Sequence, residues 1–109
     1  MANRYFVSYY PYSKWIDRIA VLVGETTKYY KVQSTKNPSV MYLINKNTGC
    51  LRGSNVKYHE MSEKLLTITL RRQKTIRFLQ NVDFDDLTNE QLERIRKIVG
   101  ESNEIQSID

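Results

Sequence analysis

The chain has 109 residues, 40% of them hydrophobic and 27% charged, with a formal net charge of +5. That is the size and composition of one ordinary globular domain, and it differs from the low hydrophobicity and high net charge of disordered chains. The longest apolar run, residues 19–23, is five residues long, whereas a membrane-spanning helix needs about 20, so we expect no membrane partner.

The cysteine content indicates a reducing compartment. Cys50 is the single cysteine, so the chain forms no internal disulfide and cannot assemble a thiolate zinc site. A secretory signal needs an apolar run of about 7–15 residues after a charged start, and the segment from Arg4 to Tyr12 is too polar to supply one. We therefore expect a cytoplasmic protein.

Strand patterns dominate the first 58 residues. Apolar and polar side chains alternate from Arg4 onwards, Gly24 turns the chain between two β-rich runs, and Pro38 interrupts the pattern before it resumes. The predicted strands cover residues 4–10, 18–24, 27–33, 40–45 and a short return strand at 50–52. The sequence thus predicts an α+β fold, with a small antiparallel SH3-like β-barrel or curled sheet over residues 3–58, followed by one or two helices.

Residues 60–80 are compatible with either a helix or a hairpin. As a helix, the segment carries one apolar stripe, acidic residues at its start and basic residues towards its end, which is the order that the helix dipole favours. The stripe consists of Met61, Leu65, Ile68, Ile76 and Leu79. We predict a helix, and the alternative is a β-hairpin that turns at 71–74.

A second helix is predicted from a capping box formed by Thr88 and Gln91, with Leu87 stapled onto Leu92. Its predicted buried face consists of Leu92, Ile95, Ile98 and Val99. Gly100 is the predicted end of this helix, and residues 101–109 form a frayed tail. The predicted organisation is therefore one domain over 1–100, β-rich to 58 and helical over 60–100.

Several turn and cap signals of this chain resemble a loosely defined group of small bacteriophage proteins, in which an SH3-like β-barrel precedes a short helical region. The matching residues are Val23, Thr27, Tyr30, Val32, Ile44, Asn47-Thr48-Gly49, Arg52-Gly53-Ser54 and the run Leu87 to Leu92. The tyrosine-rich opening from Tyr5 to Trp15 departs from that pattern. The resemblance implies the fold and a phage-encoded protein in the host cytoplasm, and it implies no activity.

The residues that carry catalysis or bind metals are scarce. His59 is the single histidine and has no partner at a metal-ligand spacing, and Cys50 lies beside a turn. A calcium loop beginning at Asp83 would need Gly and Glu where this chain has Thr88 and Arg94. The four glycines form no phosphate-binding loop. We therefore expect a protein that is not an enzyme and holds neither a metal nor a cofactor.

Charge and aromatic residues are concentrated in the first part of the chain. Residues 1–80 carry 14 Lys or Arg against 4 Asp or Glu, whereas residues 81–109 carry 3 against 8, and all eight tyrosines lie at or before Tyr58. Cations neutralise phosphates and aromatic rings stack on unpaired bases, so the sequence predicts nucleic-acid binding. The candidate residues are Lys28, Tyr29, Lys31, Lys36, Lys46, Arg52, Lys57, Arg71, Arg72, Lys74 and Arg77.

The alternative is a protein-interaction module, or an inhibitor that docks on a host protein. Tyrosine, tryptophan and arginine are the residues that most often anchor protein interfaces. The candidate patch is Tyr9, Tyr10, Tyr12 and Trp15. Salt discriminates between the two hypotheses, because phosphate contacts weaken steeply as salt rises and aromatic contacts do not.

Overall fold

The computed structural model describes residues 3–107, and the side chains of residues 3–100. It contains five strands followed by two α-helices, which confirms the α+β class. The strands are β1 (Tyr5–Tyr9), β2 (Ile16–Glu25), β3 (Tyr29–Ser34), β4 (Met41–Asn45) and β5 (His59–Met61). The helices are α1 (Glu63–Gln80) and α2 (Asn89–Ser107), separated by a 3-10 turn at Phe84–Asp86. No helix among the described residues has the length and apolar character that crossing a membrane requires.

The five strands form one antiparallel sheet in the order β4-β3-β2-β1-β5. The central register places Val7 of β1 opposite Ile19 of β2 on one side and opposite His59 of β5 on the other. Strands β4 and β5 form the two edges and do not pair with each other within the described residues. The sheet is therefore open and not closed into a barrel.

Alternation along the strands divides the core into two layers. Phe6 points to one face of the sheet, where it packs with buried residues of β2, β3 and β4 and with Tyr58. Val7 points to the other face, where it packs with Ile16 and with Leu66 of α1. We call these faces the loop side and the helix side, because residues 46–58 contribute to the first layer and α1 to the second.

Helix α1 confirms the predicted helix over residues 60–80, but a different stripe faces the sheet. Leu66 is buried, with Leu70 packed against the same cluster, whereas Leu65 and Ile68 of the predicted stripe are exposed. Positions 66, 70 and 73 have the same helical spacing as the predicted stripe. The sequence did not indicate this second stripe because Gln73, one of its members, is polar. Its amide bonds to both the backbone N–H and the C=O of Ile16, at 2.9 and 3.0 Å.

Two boundaries near this helix differ from the prediction. Residues 50–52 form no strand but two isolated bridges, one of which joins Leu51 to Ile44. Residues 60 and 61, predicted as the start of the helix, form the edge strand β5 together with His59, because β1 offers a free edge that lies more than fifty positions away in the sequence. The helix begins only at Glu63, where the Ser62 hydroxyl accepts a hydrogen bond from the Leu65 N–H at 3.2 Å.

The chain divides into two compact units, Met1–Ile76 and Arg77–Asp109. The first contains the sheet and most of α1. Its sequence has 13 Lys or Arg against 4 Asp or Glu, a net charge of +9, whereas the second unit has 4 against 8, a net charge of −4. The predicted charge asymmetry therefore follows the boundary between the units.

The second unit confirms the predicted capping box of α2. The Thr88 hydroxyl accepts from the Gln91 N–H at 3.1 Å, and the Gln91 side chain accepts from the Thr88 N–H at 3.0 Å. The predicted end at Gly100 is wrong, since α2 continues to Ser107 and Gly100 does not adopt a positive φ. The predicted tail from 101 onwards is thus helical as far as Ser107, and residues 108 and 109 lie outside the described residues.

The predicted buried face of α2 is also wrong. Leu92 and Ile95 are half-buried, while Ile98 and Val99 are exposed. So short a unit has too little chain to enclose a whole helix face, because the buried fraction falls as a folded unit becomes smaller.

Candidate functional site

Thirty-four consecutive residues, Thr26 to His59, contain no Asp or Glu. They form β3, β4 and the turns around them. The six cations of this acid-free segment are Lys28, Lys31, Lys36, Lys46, Arg52 and Lys57. Because no carboxylate of the segment itself offsets them, a positive potential develops along this half of the sheet.

One of the six cations, Lys46, is held in an ion pair on the loop side. Its Nζ lies 2.6 Å from a carboxylate oxygen of Glu25, and Arg4 makes two bonds of 2.7 and 2.8 Å to Glu60. Hydrogen bonding to these cations lowers the pKa of both glutamates, and Glu60 raises the pKa of Arg4. Arg4 and Lys46 also lie 5.3 and 5.1 Å from the centroid of the Tyr30 ring. Lys46 is therefore engaged within the fold.

The helix side of β3 and β4 is open. Leu66 and Leu70 of α1 pack with residues of β1, β2 and β5, whereas Met41 of β4 is 51% exposed. Since Val32 is buried on the loop side, Tyr29 and Lys31 point to the helix side, where they stand opposite Asn45 and Leu43. A half-buried tyrosine ring and an exposed lysine thus share this open surface.

The loop after β4 places Arg52 on the same surface. The Asn45 side chain accepts bonds from two backbone N–H groups of the turn, Gly49 turns the chain with a φ of 77°, and the Arg52 N–H donates to the carbonyl of Leu43 at 2.8 Å. The Arg52 guanidinium lies 5.8 Å from the centroid of the Tyr29 ring. A shallow depression of about 340 Å³ lies beside this pair.

We call Tyr29, Lys31 and Arg52 the Tyr29 platform. Neither Lys31 nor Arg52 makes an ion pair with any residue whose side chain the structure describes. A planar ring with a guanidinium 5.8 Å from its centroid and an ammonium two residues along the strand offers one aromatic surface and two phosphate contacts. The platform can therefore hold an unpaired base and the backbone on either side of it.

The remaining nucleic-acid candidates lie in different places. Lys28 is exposed at the turn before Tyr29, and Lys57 is exposed in the segment that pairs with Cys50. Lys36 lies in the turn at the opposite end of β3. Arg71, Arg72 and Lys74 are exposed on α1, and Arg77 belongs to the second unit. The structure brings Tyr29, Lys31 and Arg52 to one surface, with Lys28 adjacent to Tyr29 in the sequence, and it does not bring Lys36 to them.

Lys36 instead lines a cleft on the loop side together with Arg18, Tyr42 and Tyr58. The cleft has a volume of about 400 Å³. Sequence reasoning missed Arg18, because residues 18–24 were interpreted as a buried strand. The alternation of Ile19 and Ala20 between the two sides was the signal that would have placed Arg18 on the surface of the loop side.

The aromatic candidates near the turn after β1 differ in how far their side chains are exposed to solvent. Tyr9 packs on the helix side, with its ring centroid 5.4 Å from that of His59, and Trp15 is half-buried. Tyr10 is exposed, and Tyr12 is fully exposed with a φ of 57°. The Tyr10 N–H donates to the Trp15 carbonyl at 2.9 Å and closes this turn. A bulky residue rarely adopts a positive φ, so the backbone conformation of Tyr12 at the tip of this turn is unusual.

No group of three or more His, Cys, Asp or Glu residues that could hold a metal ion occurs in the described part of the chain. Comparisons of the whole chain with protein-family models, with curated proteins and with solved structures found no match. Function is therefore inferred from the chemistry of the surfaces described above.

Proposed function

We propose that the protein is a non-catalytic, nucleic-acid-binding protein that holds a single strand across the Tyr29 platform. The observation that carries this proposal is the Arg52 guanidinium over the Tyr29 ring, 5.8 Å from its centroid, within a segment that has no acidic residue. Stacking on a sheet surface requires an unpaired base, because the bases of a duplex are already stacked on each other. A single strand is thus the nucleic acid that this surface fits.

Binding should be measured by fluorescence anisotropy with labelled single-stranded and duplex oligonucleotides. We expect the single strand to bind more tightly, and Tyr29→Ala to weaken it about 5- to 150-fold, which corresponds to about 1–3 kcal/mol for one stacked base. Lys64→Gln is the matched control for a general loss of charge, since Lys64 is exposed in the first turn of α1, away from the platform. No binding at low salt, or equal losses in Lys64→Gln and Arg52→Gln, would remove the basis of this proposal.

Salt dependence provides a second measurement on the same surface. Each phosphate contact to a single strand contributes about 0.7 to the slope of log K against log salt. Arg52→Gln should therefore reduce that slope by about 0.7. A slope that stays unchanged would place the phosphate contacts elsewhere.

A second candidate function is docking on a host protein through the turn at 10–15. The fully exposed Tyr12 at a positive φ favours it, since unusual backbone conformations concentrate at functional sites. On this proposal, Tyr12→Ser abolishes capture of a partner that the unaltered protein retains in high salt, and Tyr29→Ala does not. Tyr12→Ser leaves the core untouched, so it separates loss of docking from loss of folding.

We further propose that the sheet belongs to the SH3-like folds and that the protein is phage-encoded, as its likeness to small phage proteins implies. The short antiparallel strands, with the fifth returning beside the first, support the fold proposal. A phage genome that carries this sequence would support the origin.

A further inference from the structure

The cleft on the loop side contains donors that the fold leaves unused. It lies where β2 meets the turn between β3 and β4, and it is more enclosed than the depression at the Tyr29 platform. Its cations are Arg18 and Lys36, and Tyr42 and Tyr58 form its aromatic part. Asp17 also lines it, with a carboxylate oxygen 4.0 Å from the Arg18 Nε. With two cations and one carboxylate, the lining of the cleft carries a net charge of +1.

Tyr58 supplies the decisive feature of the cleft. Its side chain is 3% exposed, yet its hydroxyl makes no hydrogen bond with any described residue. Hydrogen bonding with Tyr58 raises the pKa of Arg18, although this contact falls outside normal hydrogen-bond geometry. Because a guanidinium can only donate, the proton of the Tyr58 hydroxyl is left without an acceptor. The Ser8 hydroxyl, on the cross-strand neighbour of Arg18, is also buried and unpaired. Buried polar groups nearly always have partners, so the unpaired hydroxyl of Tyr58, a residue that lines the cleft, favours a ligand that supplies a hydrogen-bond acceptor there.

The turn that borders the cleft uses its side-chain acceptors internally. The Ser34 hydroxyl accepts from the Asn37 N–H, and the Asn37 side-chain oxygen accepts from the Ser39 hydroxyl at 2.8 Å. The Asn37 amide nitrogen retains its donor capacity, and so do the cations. The cleft thus offers hydrogen-bond donors and positive charge, which suits an oxyanion with several acceptor oxygens.

The aromatic rings narrow the ligand class. The centroids of the Tyr42 and Tyr58 rings lie 6.5 Å apart, and Tyr42 is half-buried with part of its surface in the cleft. A volume of about 400 Å³ is within the range of small-molecule sites, about 300–1,000 Å³. We propose that this cleft binds a nucleoside phosphate, with the phosphate at Arg18, Lys36 and the Tyr58 hydroxyl and the planar base against Tyr42.

The test is an NMR and calorimetric titration of the full chain with a nucleoside 5′-monophosphate. Inorganic phosphate and the unphosphorylated nucleoside are the comparison ligands. We expect the monophosphate to bind most tightly, and Arg18→Gln to weaken it about 10- to 100-fold, since hydrogen bonds from charged groups are the stronger class. Tyr58→Phe removes one oxygen and should weaken binding about 3- to 10-fold. Lys57→Gln, an equal loss of charge outside the cleft, should leave the affinity unchanged.

Two further competition measurements distinguish a free nucleotide from the phosphorylated end of a strand as the ligand. An oligonucleotide with a 5′-phosphate that competes with the monophosphate, while its hydroxyl-ended counterpart does not, would show that the site also takes a strand terminus. Competition by neither would restrict the site to free nucleotides. This proposal is independent of the Tyr29 platform, so Tyr29→Ala should leave the affinity for the monophosphate unchanged.

Three results would overturn the proposal. The first is no shift of the Arg18 or Tyr58 resonances at saturating monophosphate. The second is equal affinity for inorganic phosphate, which would remove the role of the base. The third is an affinity that Tyr58→Phe leaves intact. Tyr58→Phe keeps the experiment decisive even where Arg18→Gln fails to fold, because a phenylalanine ring fills the same space in the core.

Discussion

Tyr58→Phe should stabilise the protein. The substitution keeps the ring in the loop-side core and removes a hydroxyl that is buried without a hydrogen-bond partner among the described residues. Leaving a buried polar group unpaired costs about 1–3 kcal/mol. The interaction of the hydroxyl oxygen with the Arg18 guanidinium, chiefly hydrogen bonding that raises the pKa of Arg18 but falls outside normal hydrogen-bond geometry, offsets part of that cost. We therefore expect the free energy of unfolding to rise by about 1 kcal/mol, from the lower end of that range.

Urea unfolding followed by circular dichroism measures this change, and the m value should stay constant. An increase of about 1 kcal/mol would raise Tm by about 4–8 °C in a folded unit of this size. Tyr42→Phe is the matched control: the same oxygen is lost from a half-buried ring, and the change should stay within about 0.5 kcal/mol. A loss of more than about 1 kcal/mol in Tyr58→Phe would show that the hydroxyl is paired in the folded protein, and would refute the reasoning.

Three further predictions concern the fold. Leu66→Ala should lower the free energy of unfolding by about 2–5 kcal/mol in the same urea assay. Leu65→Ala, one residue away and 51% exposed, should lower it by less than about 1 kcal/mol. The reverse order would mean that the stripe containing Leu65 faces the sheet. Glu60→Gln should cost about 0.5 kcal/mol at pH 7. Arg4 lowers the pKa of Glu60 from its ordinary 4.5, so this stabilisation exists above that pH and is lost as the pH falls below it. The unaltered protein and Glu60→Gln should therefore become equally stable in acid. A difference that persists in acid would contradict the ion pair with Arg4 as the source of the stabilisation. Gln73→Glu should lower the free energy of unfolding by about 1–2 kcal/mol at pH 7, because a carboxylate accepts from the Ile16 N–H but repels the Ile16 carbonyl beside it. An unchanged unfolding curve would contradict the two hydrogen bonds between Gln73 and Ile16.

Features that arise from neighbouring residues were predictable from the sequence. The hairpin of β2 and β3 follows from two β-rich runs that are close in the sequence, and the capping box follows from Thr88 and Gln91 at the correct spacing. The predicted turn at Gly24 is wrong in position, because Gly24 lies within β2 opposite Lys31 and the turn follows Glu25. Tyr29 and Arg52 were both predicted as candidates, because charge and aromatic character are properties of single residues. Their contact was not predictable, since it depends on how the turn after β4 folds back.

Features that depend on distant partners were missed. Strand β5 is three residues long and exists because β1 offers a free edge, which no local pattern records. The choice of Leu66 over Leu65 depends on where Gln73 meets β2. Arg18 and Lys36 are 18 positions apart in the sequence, and the pairing of β2 with β3 brings them to one cleft.

The contact between Gln73 and Ile16 makes one amide a reporter for the whole helix. The Ile16 N–H donates to the side chain of Gln73 in α1, at 2.9 Å. Its rate of hydrogen–deuterium exchange therefore measures how often α1 separates from the sheet, whereas strand amides at the centre of the sheet exchange only when the sheet itself opens. A single resonance can thus follow the detachment of a helix without any engineered label.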